Sequence, residues 1–187
     1  MSSLRARWPS ALGLVSIAGA VFVLVLSTSG DLPLTPAVLF GPAIATMAGI
    51  YLMAYALGRP RTAWVAFVVL SVVVSVFQVL YQRSSGLHPA VGMSAVLVLL
   101  WVWVVLARRE LPLQTVGMVF FGALSLLCAF VEPRLGIAVA GAGFLFHGAW
   151  DAYHFAVDRV VDRRWSEYCG VVDLGIGVAL FVAALVG

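Results

Sequence analysis

The chain has 187 residues, of which 63% are apolar and 10% charged, and its mean hydropathy is +1.09. That composition excludes an ordinary soluble domain. The net charge of +3 says little about partners by itself. The basic residues sit in short loops without the aromatic and polar surface of a nucleic-acid interface, so no nucleic-acid partner is expected.

A bilayer-spanning helix needs about 20 predominantly apolar residues. Seven runs reach that length, at 11–28, 36–57, 62–81, 89–107, 114–131, 135–157 and 167–186. The sequence therefore predicts an all-α integral membrane protein, a bundle of seven transmembrane helices forming one polytopic domain over residues 1–187. The first run follows Arg5 and Arg7 and ends at Ser27-Thr28-Ser29-Gly30. It is long for the apolar region of a signal peptide, so it is expected to remain as the first membrane helix. The second carries Gly41-Pro42, a proline that predicts a kink. In the third, Ser71, Ser75, Gln78 and Gln82 share one face, and Tyr51 and Tyr55 of the second are placed to line the same interior. Pro33, Pro36, Pro60, Pro89, Pro112 and Pro133 all fall at or near predicted helix ends, where a missing N–H does least harm. Small-residue stripes such as Gly13/Ser16/Ala20, Gly41/Ala45/Gly49 and Gly136/Ala140/Gly143 suit close packing between membrane helices. Cys128 and Cys169 are predicted at opposite depths, too far apart to pair.

All eleven basic residues are arginine. With the N-terminus cytoplasmic, nine fall inside (Arg5, Arg7, Arg59, Arg61, Arg108, Arg109, Arg159, Arg163 and Arg164), and two, Arg83 and Arg134, fall outside. This asymmetry follows the positive-inside rule and predicts a cytoplasmic N-terminus, an outer C-terminus and a cell membrane of the bacterial inner-membrane type. A short echo is also present. Gly49, Tyr51 and Tyr55 recur as Gly148, Trp150 and His154, which is compatible with a 3+1+3 repeat of the parallel kind found in SWEET transporters. The proline-glutamine signature of those proteins is not found in the corresponding helices.

Ionisable side chains at membrane depth are expensive and mark candidate sites. His147, Asp151 and His154 lie on one face of the sixth run, with Trp150 beside them. Asp173 and Cys169 share a face of the seventh, which returns after a short charged turn. A hairpin brings Asp173 to the depth of Asp151 and His147. Offsets of four and three residues are used by helical metal sites, so His147, Asp151 and His154 are the candidate ligands of a divalent ion. The two histidines are too far apart along a regular helix to share one ion easily.

Three readings stay open. His147, Asp151, His154 and Asp173 form a proton or cation site serving transport of a small solute or ion. Alternatively they hold a metal for a hydrolase-like enzyme acting on a lipid or apolar substrate, with Ser71 or Glu167 as further partners. Or they are a His–Asp packing cluster without chemistry. Trp150, Cys169, Ser71, Ser75, Gln78, Tyr51 and Tyr55 are the candidate pocket lining. The helix count is similar to that of the alkaline ceramidase and adiponectin-receptor superfamily, but those proteins hold zinc with three membrane histidines. Here the third histidine, His88, precedes the fourth run in an outer loop, so no site is carried over. A retinal Schiff base is excluded because the chain has no lysine.

Overall fold

The computed structural model describes residues 7–84, 86–107 and 112–186. Arg5, Arg108 and Arg109 lie outside the described residues. Seven α-helices follow in order: α1 (Trp8–Thr28), α2 (Pro36–Leu57), α3 (Ala63–Ser84), α4 (Pro89–Leu106), α5 (Pro112–Phe130), α6 (Pro133–Val157) and α7 (Arg163–Val186). A short 3₁₀ turn at Pro60–Thr62 leads into α3. All seven are long and apolar enough to cross a membrane, and the chain is a multi-pass membrane protein. No strand occurs among the described residues.

Helix ends follow local chemistry. Pro36, Pro89, Pro112 and Pro133 open their helices, where the absent N–H removes a donor that would have no partner anyway. His88 caps α4 by accepting from the Ala90 N–H at 3.2 Å, and burial lowers its pKa below the ordinary histidine value. α7 starts four residues earlier than its apolar run, because Asp162 Oδ1 accepts the Trp165 N–H at 2.9 Å and so caps a charged first turn. α6 ends on Asp158 with φ at 49°, a left-handed conformation that aspartate tolerates better than most side chains. That sharp stop lets α7 fold straight back along α6.

α2 is the centre of the bundle. Its apolar window is 78% buried, against 17% to 44% in the other six helices. It packs on α3, α4, α5 and α6, while α1 lies chiefly along α7. Pro42 sits within α2 and leaves the Val38 carbonyl without its usual helical donor. Gln78 of α3 fills this gap: its Nε2 donates to Leu39 O at 3.1 Å and lies 3.5 Å from Val38 O. An amide inside a membrane is costly without a partner, and here it completes a broken backbone ladder.

Glycines set the close approaches. A Cβ on Gly41 would stand 2.7 Å from Cys128 Cβ of α5, and one on Gly143 would stand 2.5 Å from Ile44 Cδ1 of α2. Cys128 Cβ is fixed to its backbone and cannot swing aside, so Gly41→Ala forces α2 and α5 apart. We expect this variant to lose about 1–3 kcal/mol through overpacking, which outweighs the ~1 kcal/mol that alanine gains in helix propensity. Thermal unfolding in detergent measures the loss.

Candidate metal or proton centre

The site is built on the α6–α7 hairpin. Gly148 of α6 lies against Asp173 and Leu174, and Gly170 of α7 lies against Asp151. Neither glycine has a side chain to hold the helices apart, so the polar faces of α6 and α7 meet directly. His147, Asp151, His154 and Asp173 are each 0% exposed.

Four potential ligands converge: one atom each from His147, Asp151, Cys169 and Asp173, all within 4.8 Å of one another. His147 Nδ1 lies 2.7 Å from Asp173 Oδ2 and 3.4 Å from Asp151 Oδ2. Cys169 Sγ lies 3.8 Å from Asp173 Oδ2. The Tyr51 hydroxyl, reaching in from α2, donates to Asp151 Oδ1. Within this cluster three buried atoms have no hydrogen-bond partner among the described residues: His147 Nε2, Asp151 Oδ2 and Asp173 Oδ1. Unpartnered polar atoms at full burial are rare, and each asks for an explanation such as an ion or a proton.

The set that converges differs from the trio expected along α6. Cys169 stands where His154 was expected, for two reasons. His154 is seven residues from His147, about 10 Å along the axis. Its ring is also already committed: Nδ1–H donates to the Trp150 carbonyl at 3.0 Å, and Nε2 lies 3.3 Å from the amide nitrogen of Gln114 on α5. That leaves no free lone pair for an ion. Aromatic rings enclose both histidines. Phe121 lies 4.9 Å from His147, and Tyr51 and Trp150 lie 4.6 and 4.7 Å from His154. The echoed segments of α2 and α6 thus meet at the site, with Tyr51 and Trp150 rings 6.2 Å apart.

The remaining predicted residues are scattered. Tyr55 lines a cavity of about 210 Å³ with Gln114, Tyr153, His154 and Arg159, at the end of the bundle where α6 stops. Ser71 lines a cavity of about 310 Å³ that reaches Cys169 and Asp173. Ser75 is exposed and donates to the Ser71 carbonyl at 2.8 Å, so it turns back on its own helix and not into the interior. Gln78 is occupied by α2, as above, and Gln82 is exposed. Glu167 is away from the four converging ligands and accepts from Ser10 of α1. Gln114 and Phe121 are site residues that sequence reasoning missed. Gln114 carries a faint signal, a lone amide in the first turn of an apolar helix, but it is indistinguishable there from an ordinary helix start.

Chemically, the four groups offer one imidazole, one thiol and two carboxylates in a dry core. Comparison with protein-family models, curated proteins and solved structures gives no match to this chain.

Proposed function

We propose that this protein is a multi-pass cell-membrane protein that binds a cation inside the bilayer at His147, Asp151, Cys169 and Asp173, and that this site serves movement of a small solute or ion. One observation carries the reading: four ligand-type atoms lie within 4.8 Å of one another at full burial. In a tetrahedral zinc complex with bonds of about 2.0–2.3 Å, neighbouring ligand atoms stand roughly 3.3–3.8 Å apart. The contacts at 3.4 and 3.8 Å already fit that spacing. The 2.7 Å His147–Asp173 contact opens slightly when an ion replaces its proton. Two carboxylates in a low-dielectric core also favour a positive partner, either a divalent ion or shared protons. The mixed nitrogen, sulfur and oxygen set suits zinc better than magnesium or calcium, which take oxygen ligands.

A polar cavity of about 210 Å³ lies at one end of the bundle, lined by Gln114, His154 and Arg159 among others. Arg7, Arg59, Arg61, Arg159, Arg163 and Arg164 belong to this end, which the positive-inside rule makes cytoplasmic. Reporter fusions after Gly58 and after Gly86 should therefore lie on opposite sides of the membrane, with the first inside. The same side for both removes the topology.

Metal analysis of protein purified without chelators tests the site. About one zinc per chain, lost after Asp151→Asn, is the expected result. Metal-free wild-type protein that also shows no pH-dependent transport leaves the cluster as helix packing alone. A second reading, a metal-dependent enzyme acting on an apolar substrate, is favoured by the 310 Å³ cavity that brings Cys169 and Asp173 to an apolar wall.

A further inference from the structure

We infer that the 310 Å³ cavity takes a lipid-borne molecule with a hydrogen-bond-donating head, an alcohol or an amine, which comes from the bilayer through the gap between α1 and α3. This rests on reading the chain as a membrane bundle and deepens the cation-site reading by naming what approaches it.

The cavity is bounded by α2, α3 and α7, with Ser16 its contribution from α1 and Phe144 from α6. α1 packs along α7, and α1 and α3 do not pack along each other. They meet at one end, where the Trp8 ring lies 5.5 Å from Trp64. Away from that contact both helices line the cavity, Ser16 from α1 and Ser71 and Val74 from α3, so an apolar molecule entering between them reaches it without crossing water. The walls are mostly hydrocarbon, including Leu39, Ala43, Met47 and Val74. At the ~30 Å³ that a water-sized group occupies in a liquid, there is room for about ten such groups. A short stretch of chain fits; a whole two-chain lipid does not.

The inner end selects the head group. Asp173 stands there, and its Oδ1 has no hydrogen-bond partner among the described residues. Cys169 is beside it. No basic side chain is among the lining residues. A phosphate or carboxylate head would add negative charge beside Asp173 and Asp151, which together already balance one divalent ion held at the cluster. A hydroxyl or amine instead donates to the Asp173 carboxylate, whose covered Oδ1 turns toward the cavity to accept it, and the same end offers its lone pair to an ion held at the cluster.

The probe is a long-chain alcohol carrying a photoactivatable diazirine, compared with the matching fatty acid at neutral pH, on full-length protein in phosphatidylcholine vesicles. The alcohol is expected to crosslink Leu39, Ala43 and Val74 at least tenfold more than the outward-facing Val116 and Val119 of α5. Unlabelled hexadecanol competes, and the acid shows no such preference. Ala43→Trp fills the cavity from α2, and Ser71→Trp fills it from α3, so one well-folded variant suffices. Either removes the preference while zinc per chain stays unchanged. Even labelling over all faces, or a preference that survives both fillings, overturns the inference, as does equal preference for the acid. Zinc bound without alcohol preference removes the inference and leaves the cation site standing. Alcohol preference in a protein that binds no zinc does the reverse.

Discussion

An Asp151→Asn variant folds with near-normal yield and loses at least about 100-fold in zinc affinity, because removing a ligand costs more than removing an outer partner, itself worth about 10–100-fold. The substitution is close to isosteric. Its side-chain oxygen still accepts from the Tyr51 hydroxyl of α2. What disappears is the negative charge at Oδ2, the atom 3.4 Å from His147 Nδ1 that has no hydrogen-bond partner. Fold and ion binding therefore separate. Zinc titration against folded yield reads both, with Tyr51→Phe as the companion. Tyr51→Phe strips the hydrogen bond and keeps all four ligands, so it should weaken zinc far less than Asp151→Asn. Equal zinc binding by Asp151→Asn and the wild type would end the assignment of Asp151 as a ligand.

His147→Ala is expected to have the largest effect on stability, about 3–5 kcal/mol, the range for breaking a buried ionic pair from one side. His147 is the imidazole between the two carboxylates, 2.7 Å from one and 3.4 Å from the other. Without it Asp173 is left buried beside the Cys169 thiol, 3.8 Å away, and a second carboxylate, Asp151. Adding Asp173→Asn to His147→Ala should recover part of the loss, because the uncompensated charge goes while the cavity left by the ring remains. A coupling of about 1–3 kcal/mol between the two positions is the expected outcome of the double-mutant cycle. Simple additivity in chemical unfolding would show that the pair does not interact energetically.

The helices were legible because membrane spanning writes itself into length and hydropathy, and the run 36–57 coincides with α2. The α6–α7 meeting was legible as well. Two adjacent helices joined by a short turn have a depth relation that counting residues reveals, and His147 does meet Asp173. Contacts between distant helices were not. Nothing in the local sequence says that Gln114 would occupy His154, or that Gln78 would serve the backbone beside Pro42. A polar residue in an apolar helix announces that it needs a partner but does not say which one. Ser75 shows the same limit, since a hydroxyl at helical spacing bonds backward as readily as inward. Cys169 was visible as lining but not as a member of the converging set, because a buried thiol reads like any small apolar residue.

The central place of α2 also has a consequence for how the protein is made. A chain emerges N-terminus first, so α2 reaches the membrane before α4, α5 and α6, the helices that surround it. For that interval Thr46, the carbonyl freed by Pro42 and the Tyr51 hydroxyl face lipid or the insertion machinery. Tyr51 waits longest, since Asp151 lies a hundred residues downstream. A nascent chain halted after α5 would hold an α2 with no acceptor for Tyr51 and no Gly143 to receive Ile44. Quality control should therefore read α2, and truncations within α6 should be cleared faster than truncations within α1, whose outer face is lipid-compatible from the start.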